Sequence, residues 1–388
     1  MALLFPGVLI RRERLRRSWS QEGLCRGICA VSYLSKIEQG KAEASGEVLW
    51  LLMARLELPW LDDPETMAAA HALIERCYEA VFACDERALE SLRPEFAAQE
   101  AGLRYSPCAP DAALLAGLLA RPQRPAGAEL EPFFDQRQLG LQRMLQGRHE
   151  EALRLYPCAY LYLKTGIDIY EQGSSDAMAL EHLHRAYELA AESGYAHTML
   201  LAKLFMGNCY CNAVDLDNME KHYQVAERLA RALRDPERLR DVGYNRAAAQ
   251  LEAGDIAPAY AWFSSVKEPT ALELHKLAIC CEKLGRRAEA LAALDQADAL
   301  AAELPYGPLV VQGCWLVRCR LEHPDYLQCP EYGEQLLDFF VRCRSELPVG
   351  YASFHLPWVL EWHTAARQYR AAYELLRDFP TKPPLKRV

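Results

Sequence analysis

From Thr66 onward this 388-residue chain is patterned almost without interruption as helices, and strand signals are absent. The helices are separated by short breaks of one recurring kind: "QGRHEEAL" at Gly147, "QGSSDAMAL" at Gly173, "AVDLDNMEKHY" at Asp215, "AGDIAPAYAWF" at Gly254 and "LGRRAEALAAL" at Gly285. Each break ends one helix and opens the next, at spacings loosely centred on the roughly 34 residues of a helical hairpin. One hairpin cannot bury its apolar face alone, so such units must stack on one another into a solenoid. The pattern therefore predicts an all-α protein. Stacked hairpins should run over residues 130–380, with helices at 66–84, 86–100 and 111–120 extending them toward the N-terminus.

The first 60 residues read differently. Helices are expected at 8–17, 20–28, 32–39 and 47–58, with Ile10 and Leu15 on the apolar side of the first. Ser20 suits an N-cap, because its hydroxyl can accept from one of the unpaired N–H groups of a first helical turn. Gly27 suits the unusual backbone of a tight turn, Ser32 reads as a second cap, and Gly40 closes the helix. Leu24, Ile28, Leu34 and Ile37 then face inward. Ser32, Tyr33, Ser35, Lys36 and Gln39 face outward, which is the geometry of a helix-turn-helix. Pro59 stops the fourth helix, and "PWLDDPE" reads as a linker. We therefore expect a helix-turn-helix domain over 1–60 and a helical-repeat domain for ligand binding and dimerisation over 61–388.

Charge supports the same division. Residues 1–58 hold nine Lys/Arg against six Asp/Glu, a net of +3, whereas the remainder carries −12. Phosphate binding needs local positive potential, so a nucleic-acid surface belongs at the N-terminus. The fourteen cysteines include no C-x-x-C pair and sit mainly among Leu, Ala and Tyr, where a thiol serves as a small apolar side chain. Redox sensing is the alternative reading for them. His182 and His184 fall on different sides of a helix, and "HEEAL" lacks the second His of a zincin, so no metal site is expected. No phosphate-binding loop, dinucleotide fingerprint or nucleophile motif is present, and neither an enzyme nor a cofactor is expected. No apolar run reaches the roughly 18 residues that span a bilayer. The start, "MALLFPGVLIRRERLRR", lacks a cleavage site of small residues, and the expected location is the cytoplasm.

Two resemblances sharpen these readings. "LAKLFMGNCYCNAVDLDNMEKHYQVAERLARAL", Leu201 to Leu233, resembles the tetratricopeptide repeat, with Gly207, Tyr210, Asp215, Tyr223 and Ala226 near the expected places. It implies a right-handed α-solenoid. "QEGLCRGICAVSYLSKIEQGK" resembles the repressor-type (XRE/Cro) helix-turn-helix. "RGICAVSYLSKIE" is similar to the version carried by peptide-responsive quorum-sensing regulators, the RRNPP group with its PlcR-like and Rgg-like members. The departures are Gly23 and "AEASGE" after Lys41.

The resemblance implies that Arg14 pairs with Glu38, and that Gln21 binds a phosphate of double-stranded DNA. Ser32, Tyr33 and Lys36 would reach base edges, with Ser35 on phosphate or base. It also implies a homodimer on paired half-sites. The chain has only four asparagines. Counted from the breaks, Asn208 and Asn245 fall on the concave side of adjacent hairpins, with Lys164 and Lys276 at the same phase in flanking units. An Asn amide can donate and accept at once along a peptide backbone, and lysines at the ends can hold a carboxylate. The family uses inner-helix Asn in this way, which implies a short peptide effector. Capping or inter-helix bonding is the other reading for these residues, and Asn218 reads as structural. A scaffold that sequesters a partner protein, or a redox-responsive regulator, are the alternative functions.

Overall fold

The computed structural model describes residues 4–173, 175–213, 215–346 and 349–378. Among these there are 21 α-helices, two short 3-10 turns and no strand. The first four helices are α1 (Pro6–Arg16), α2 (Gln21–Cys25), α3 (Val31–Glu38) and α4 (Gly46–Arg55). Ser20 caps α2 by accepting from Gly23 N–H, while Gly27 at φ +76° and Gly40 at φ +65° make the turns that follow α2 and α3.

Two expectations fail locally. Ser32 is not a cap: α3 starts one residue earlier, at Val31, behind Ala30, which makes no side-chain cap bond. The turn needs none, because the Ile28 and Cys29 N–H groups donate back to the Cys25 carbonyl and close it through backbone alone. Leu15 is 54% exposed; Ile10 is buried as expected, with Leu9 rather than Leu15 beside it, alongside the largely buried Glu13 and Arg14. Gly7 explains how closely α1 meets α3, since a Cβ there would collide with the Ile37 carbonyl.

The chain continues through α5 (Pro64–Ala83), α6 (Glu86–Leu103), α7 (Ala109–Leu118), α8 (Gln136–Leu145) and α9 (His149–Leu155). Next come α10 (Ala159–Gln172), α11 (Asp176–Ser193), α12 (Ala196–Asn212) and α13 (Leu216–Ala232). They are followed by α14 (Pro236–Glu252), α15 (Ile256–Ser265), α16 (Ala271–Lys283) and α17 (Arg287–Ala301). The last four are α18 (Gly307–Glu322), α19 (Pro330–Glu346), α20 (Val349–Ala365) and α21 (Tyr369–Asp378). Asp or Thr side chains start many of these helices, as Asp63, Asp85, Asp135, Asp215, Asp235 and Thr270 each accept from a first-turn N–H.

The chain forms two compact units: Met1–Lys164 with Glu188–Thr198, and Thr165–Tyr187 with Met199–Val388. This division lies within the helical-repeat region. In the first unit one apolar core runs from Phe5 through Leu34, Leu73 and Leu115 to Leu161. The segment expected as a linker is built into it: Leu61 N–H donates to the Tyr105 carbonyl, and Asp63 caps α5.

In the second unit successive helices from α13 to α21 pack on their chain neighbours, and α16 also packs on α14 and α18. A repeated device brings the two helices of a hairpin together. A glycine on the first lies where any Cβ would strike a large side chain of the second: Gly166 against Leu183, Gly207 against Tyr223, Gly243 against Trp262. Among the large aromatics of this unit, Phe263 and Trp358 are buried, and Trp262, Trp315 and Trp362 are partly buried against the same cluster. No helix among the described residues is long and apolar enough to cross a membrane.

Candidate DNA-reading surface and ligand cavity

The reading surface begins with a buried ion pair. Arg14 grips Glu38 with two hydrogen bonds, Nε to Oε1 at 2.6 Å and Nη2 to Oε2 at 2.8 Å, and its Nη1 donates to the Trp19 carbonyl. Both side chains are almost fully buried. This bond to the carboxylate raises the guanidinium above its ordinary value, so the pair is a permanent charge-assisted clamp. Gln21 joins it, donating from Nε2 to Glu38 Oε2 at 2.7 Å. The Gln21 amide thus locks the start of α2 onto the end of α3.

The outward face of α3 is set by Leu34 and Ile37, which are buried and fix its rotation. Ser32 and Lys36 are exposed; among the described residues neither side chain makes a hydrogen bond or ion pair. Ser35 accepts from Gln39 Nε2 at 3.1 Å. Tyr33 is half-buried, and its hydroxyl donates to the Glu43 carbonyl at 2.9 Å. It therefore also fastens the α3–α4 loop, a role that sequence spacing does not reveal.

The second unit holds a cavity of about 470 Å³. Asn208 on α12 and Asn245 on α14 both line it, as do Asn212 and Lys276. The two asparagines meet: Asn245 Nδ2 donates to Asn208 Oδ1 at 3.1 Å, and the same oxygen accepts from Tyr223 at 2.7 Å. The inter-helix bond weighed as the alternative reading is therefore present. It occupies one carbonyl and one N–H, and leaves the Asn208 amide N–H groups and the Asn245 carbonyl for other partners. Asn218 stands apart, closing a cap with Asp215.

Lys164 is not brought to the cavity. It belongs to the first unit, with Nζ 5.7 Å from the Tyr160 ring centroid; α10 contributes Tyr170 and Glu171 instead, about two turns further along. Lys276 lines the cavity but is 2% exposed, pressed against the Phe354 ring rather than standing free. Burial pushes its amine down to about 7, and Glu252 draws it partly back up. The aromatic wall of Tyr244, Tyr351 and Phe354, much of it supplied by α20 a hundred residues downstream, has no signal in the repeat pattern. Tyr244 and Tyr351 are joined through their hydroxyls at 3.0 Å, and burial pushes the Tyr244 phenol up to about 12. No group of three or more potential metal ligands occurs among the described residues.

Residues 10–62 match the helix-turn-helix family HTH_3. The N-terminal module is an XRE-type helix-turn-helix DNA-binding domain. No curated protein matches the chain.

Among solved structures, a Rap protein complexed with Competence and Sporulation Factor aligns at 12% identity and a TM-score of 0.51, over 80% of this chain and 98% of that one. Bacillus thuringiensis PlcR in complex with the peptide PapR7 and DNA aligns at 14% identity and a TM-score of 0.33, over 82% and 99%. The apo form of the competence regulator ComR from Streptococcus vestibularis aligns at 13% and 0.18, over 82% and 98%. At that identity the Rap likeness speaks for the helical-repeat fold alone. The matched residues span most of α1 and all of α2 to α4, and Ser32 and Lys36 belong to α3, the second helix of the motif.

Proposed function

We propose that this protein is a transcription regulator. The XRE-type domain reads an operator through Ser32, Lys36 and the ring of Tyr33, and the helical-repeat unit holds a short extended peptide that controls this binding. Two copies read paired half-sites about one helical turn apart. The observation that carries the reading is the Asn208–Asn245 pair on the wall of the cavity, in a chain that begins with a DNA-binding domain. Each amide keeps capacity to bond a peptide backbone without reading side chains.

The test starts from genomic fragments retained by the full-length protein and sequenced. One palindromic site should be enriched. Ser32→Ala with Lys36→Ala should weaken its binding by roughly 1 to 3 kcal/mol per lost base contact while the helical content stays unchanged. Undiminished binding by the double variant would overturn the assignment of the reading face.

A further inference from the structure

Val31 is an apolar side chain at a position where local stability favours none. It opens α3, the helix that carries Ser32 and Lys36, and is 43% exposed. The residue before it, Ala30, is also exposed and makes no cap bond. Ser, Thr, Asp or Asn at that place would cap the helix, and a β-branched side chain in the first turn lowers helix propensity. Leu34, Ile37 and Glu38 occupy the buried side of α3. The rotation they fix turns Ser32 and Lys36 outward and leaves Val31 beside Ser32, at the head of the row that Ser35 continues one turn on. Leu15, Trp19 and Trp50, the other large apolar side chains exposed among the described residues of the module, lie on α1, on the α1–α2 connection and on α4. Val31 alone of these is on the reading helix.

The major groove offers one group that matches such a side chain. Guanine presents N7 and O6, adenine N7 and its N6 amine, and cytosine its N4 amine, whereas thymine sets a C5-methyl group beside O4. An isopropyl group pressed on a donor or acceptor strips it of water and returns no hydrogen bond. Pressed on a methyl group, it removes apolar surface from water on both sides.

We infer that Val31 is a specificity-determining residue of the reading helix, packing on the C5-methyl group of a thymine in the operator. This rests on the DNA reading proposed above and deepens it, adding an apolar contact to the polar ones of Ser32 and Lys36. The contact reads the methyl group rather than the pairing edge. 5-Methylcytosine carries the same group at the same ring position, so it fills the seat that unmodified cytosine leaves empty, and binding at this base pair responds to cytosine methylation.

The probe is the site enriched from genomic fragments by the full-length protein, synthesised as a duplex with one thymine at a time replaced by uracil. Uracil keeps O4 and the pairing edge and lacks only the methyl group. One such replacement should weaken wild-type binding about 3- to 10-fold, the range for burying one methyl group between two apolar surfaces. Val31→Ala should lose a similar factor on the thymine duplex and then bind the thymine and uracil duplexes alike. With cytosine at the sensitive position, methylation of its C5 should strengthen wild-type binding by the same factor and leave Val31→Ala unchanged.

An enriched site whose thymines all tolerate uracil overturns the contact and leaves the DNA reading standing. Equal sensitivity of wild type and Val31→Ala to the same uracil also overturns it, since another side chain then meets the methyl group. Enrichment of no site overturns the DNA reading and the contact with it. The uracil and 5-methylcytosine comparisons are made on the wild-type protein. Val31→Ala puts a stronger helix former at an exposed position, so its fold is kept.

Discussion

Glu38 shows how one carboxylate organises the helix-turn-helix module. It takes three hydrogen bonds, two from Arg14 and one from Gln21, and so ties α1, α2 and α3 together from inside. Glu38→Ala would leave the Arg14 guanidinium buried without its counter-charge, a loss of about 3 to 5 kcal/mol. Urea unfolding of the full chain should show that loss, and DNA binding should fall with it; Lys36→Ala should spare stability. Asn208 carries a similar burden on a smaller scale. Its carbonyl satisfies both Tyr223 and Asn245, so Asn208→Ala should cost about 1 to 3 kcal/mol of stability before any ligand is considered. Lys276 gives a pH signature. Its folded value near 7 lies below the ordinary 10.5, so the unfolded chain binds more protons between these values and stability rises with pH across that window. The unfolding free energy of wild type in urea should gain on that of Lys276→Met between pH 7 and pH 9, by on the order of 1 kcal/mol per pH unit. A constant gap would mean that the amine titrates normally.

The hairpins of the second unit depend on close approach between elements. Gly207 and Gly243 sit under the Tyr223 and Trp262 rings, where a methyl group has no room. Gly207→Ala and Gly243→Ala should each destabilise by roughly 1 to 3 kcal/mol through overpacking, measured by denaturant unfolding. Much at this scale was legible in the amino acids, because local rules govern it. Ser20, Gly27 and Gly40 mark helix ends whatever surrounds them. The Ser32 cap was misread because the Cys25 carbonyl closes the turn without any side chain. Two of the four scarce asparagines, Asn208 and Asn245, were expected on the concave side and both line the cavity, but their mutual bond depends on how α12 meets α14, which no periodicity encodes. Lys164 and Lys276 share a helical phase, yet only Lys276 reaches the cavity, and the ring that covers it comes from Phe354. Contacts between repeats distant in sequence were the unreadable part.

At the scale of the molecule, charge is segregated: +3 over residues 1–58 against −12 over the rest. DNA binding should therefore fall steeply with salt, and Lys36→Ala should flatten the slope of log K against log salt by about one if that lysine meets a phosphate, or leave it unchanged if it meets a base. A regulator of this design has a further requirement, that a ligand in the helical-repeat unit changes the affinity of the XRE-type module for DNA. Such coupling amounts to roughly 5- to 150-fold in known cases, and it must vanish when the ligand site is disabled. The measurement that decides this is the affinity of the full-length protein for its own selected operator, with and without a saturating peptide selected from a random pool on the full-length protein, in wild type and in Asn245→Ala. The account predicts a change of at least about fivefold in wild type, and at the same peptide concentration little or none in the variant. Equal operator affinity with and without bound peptide in wild type would contradict it.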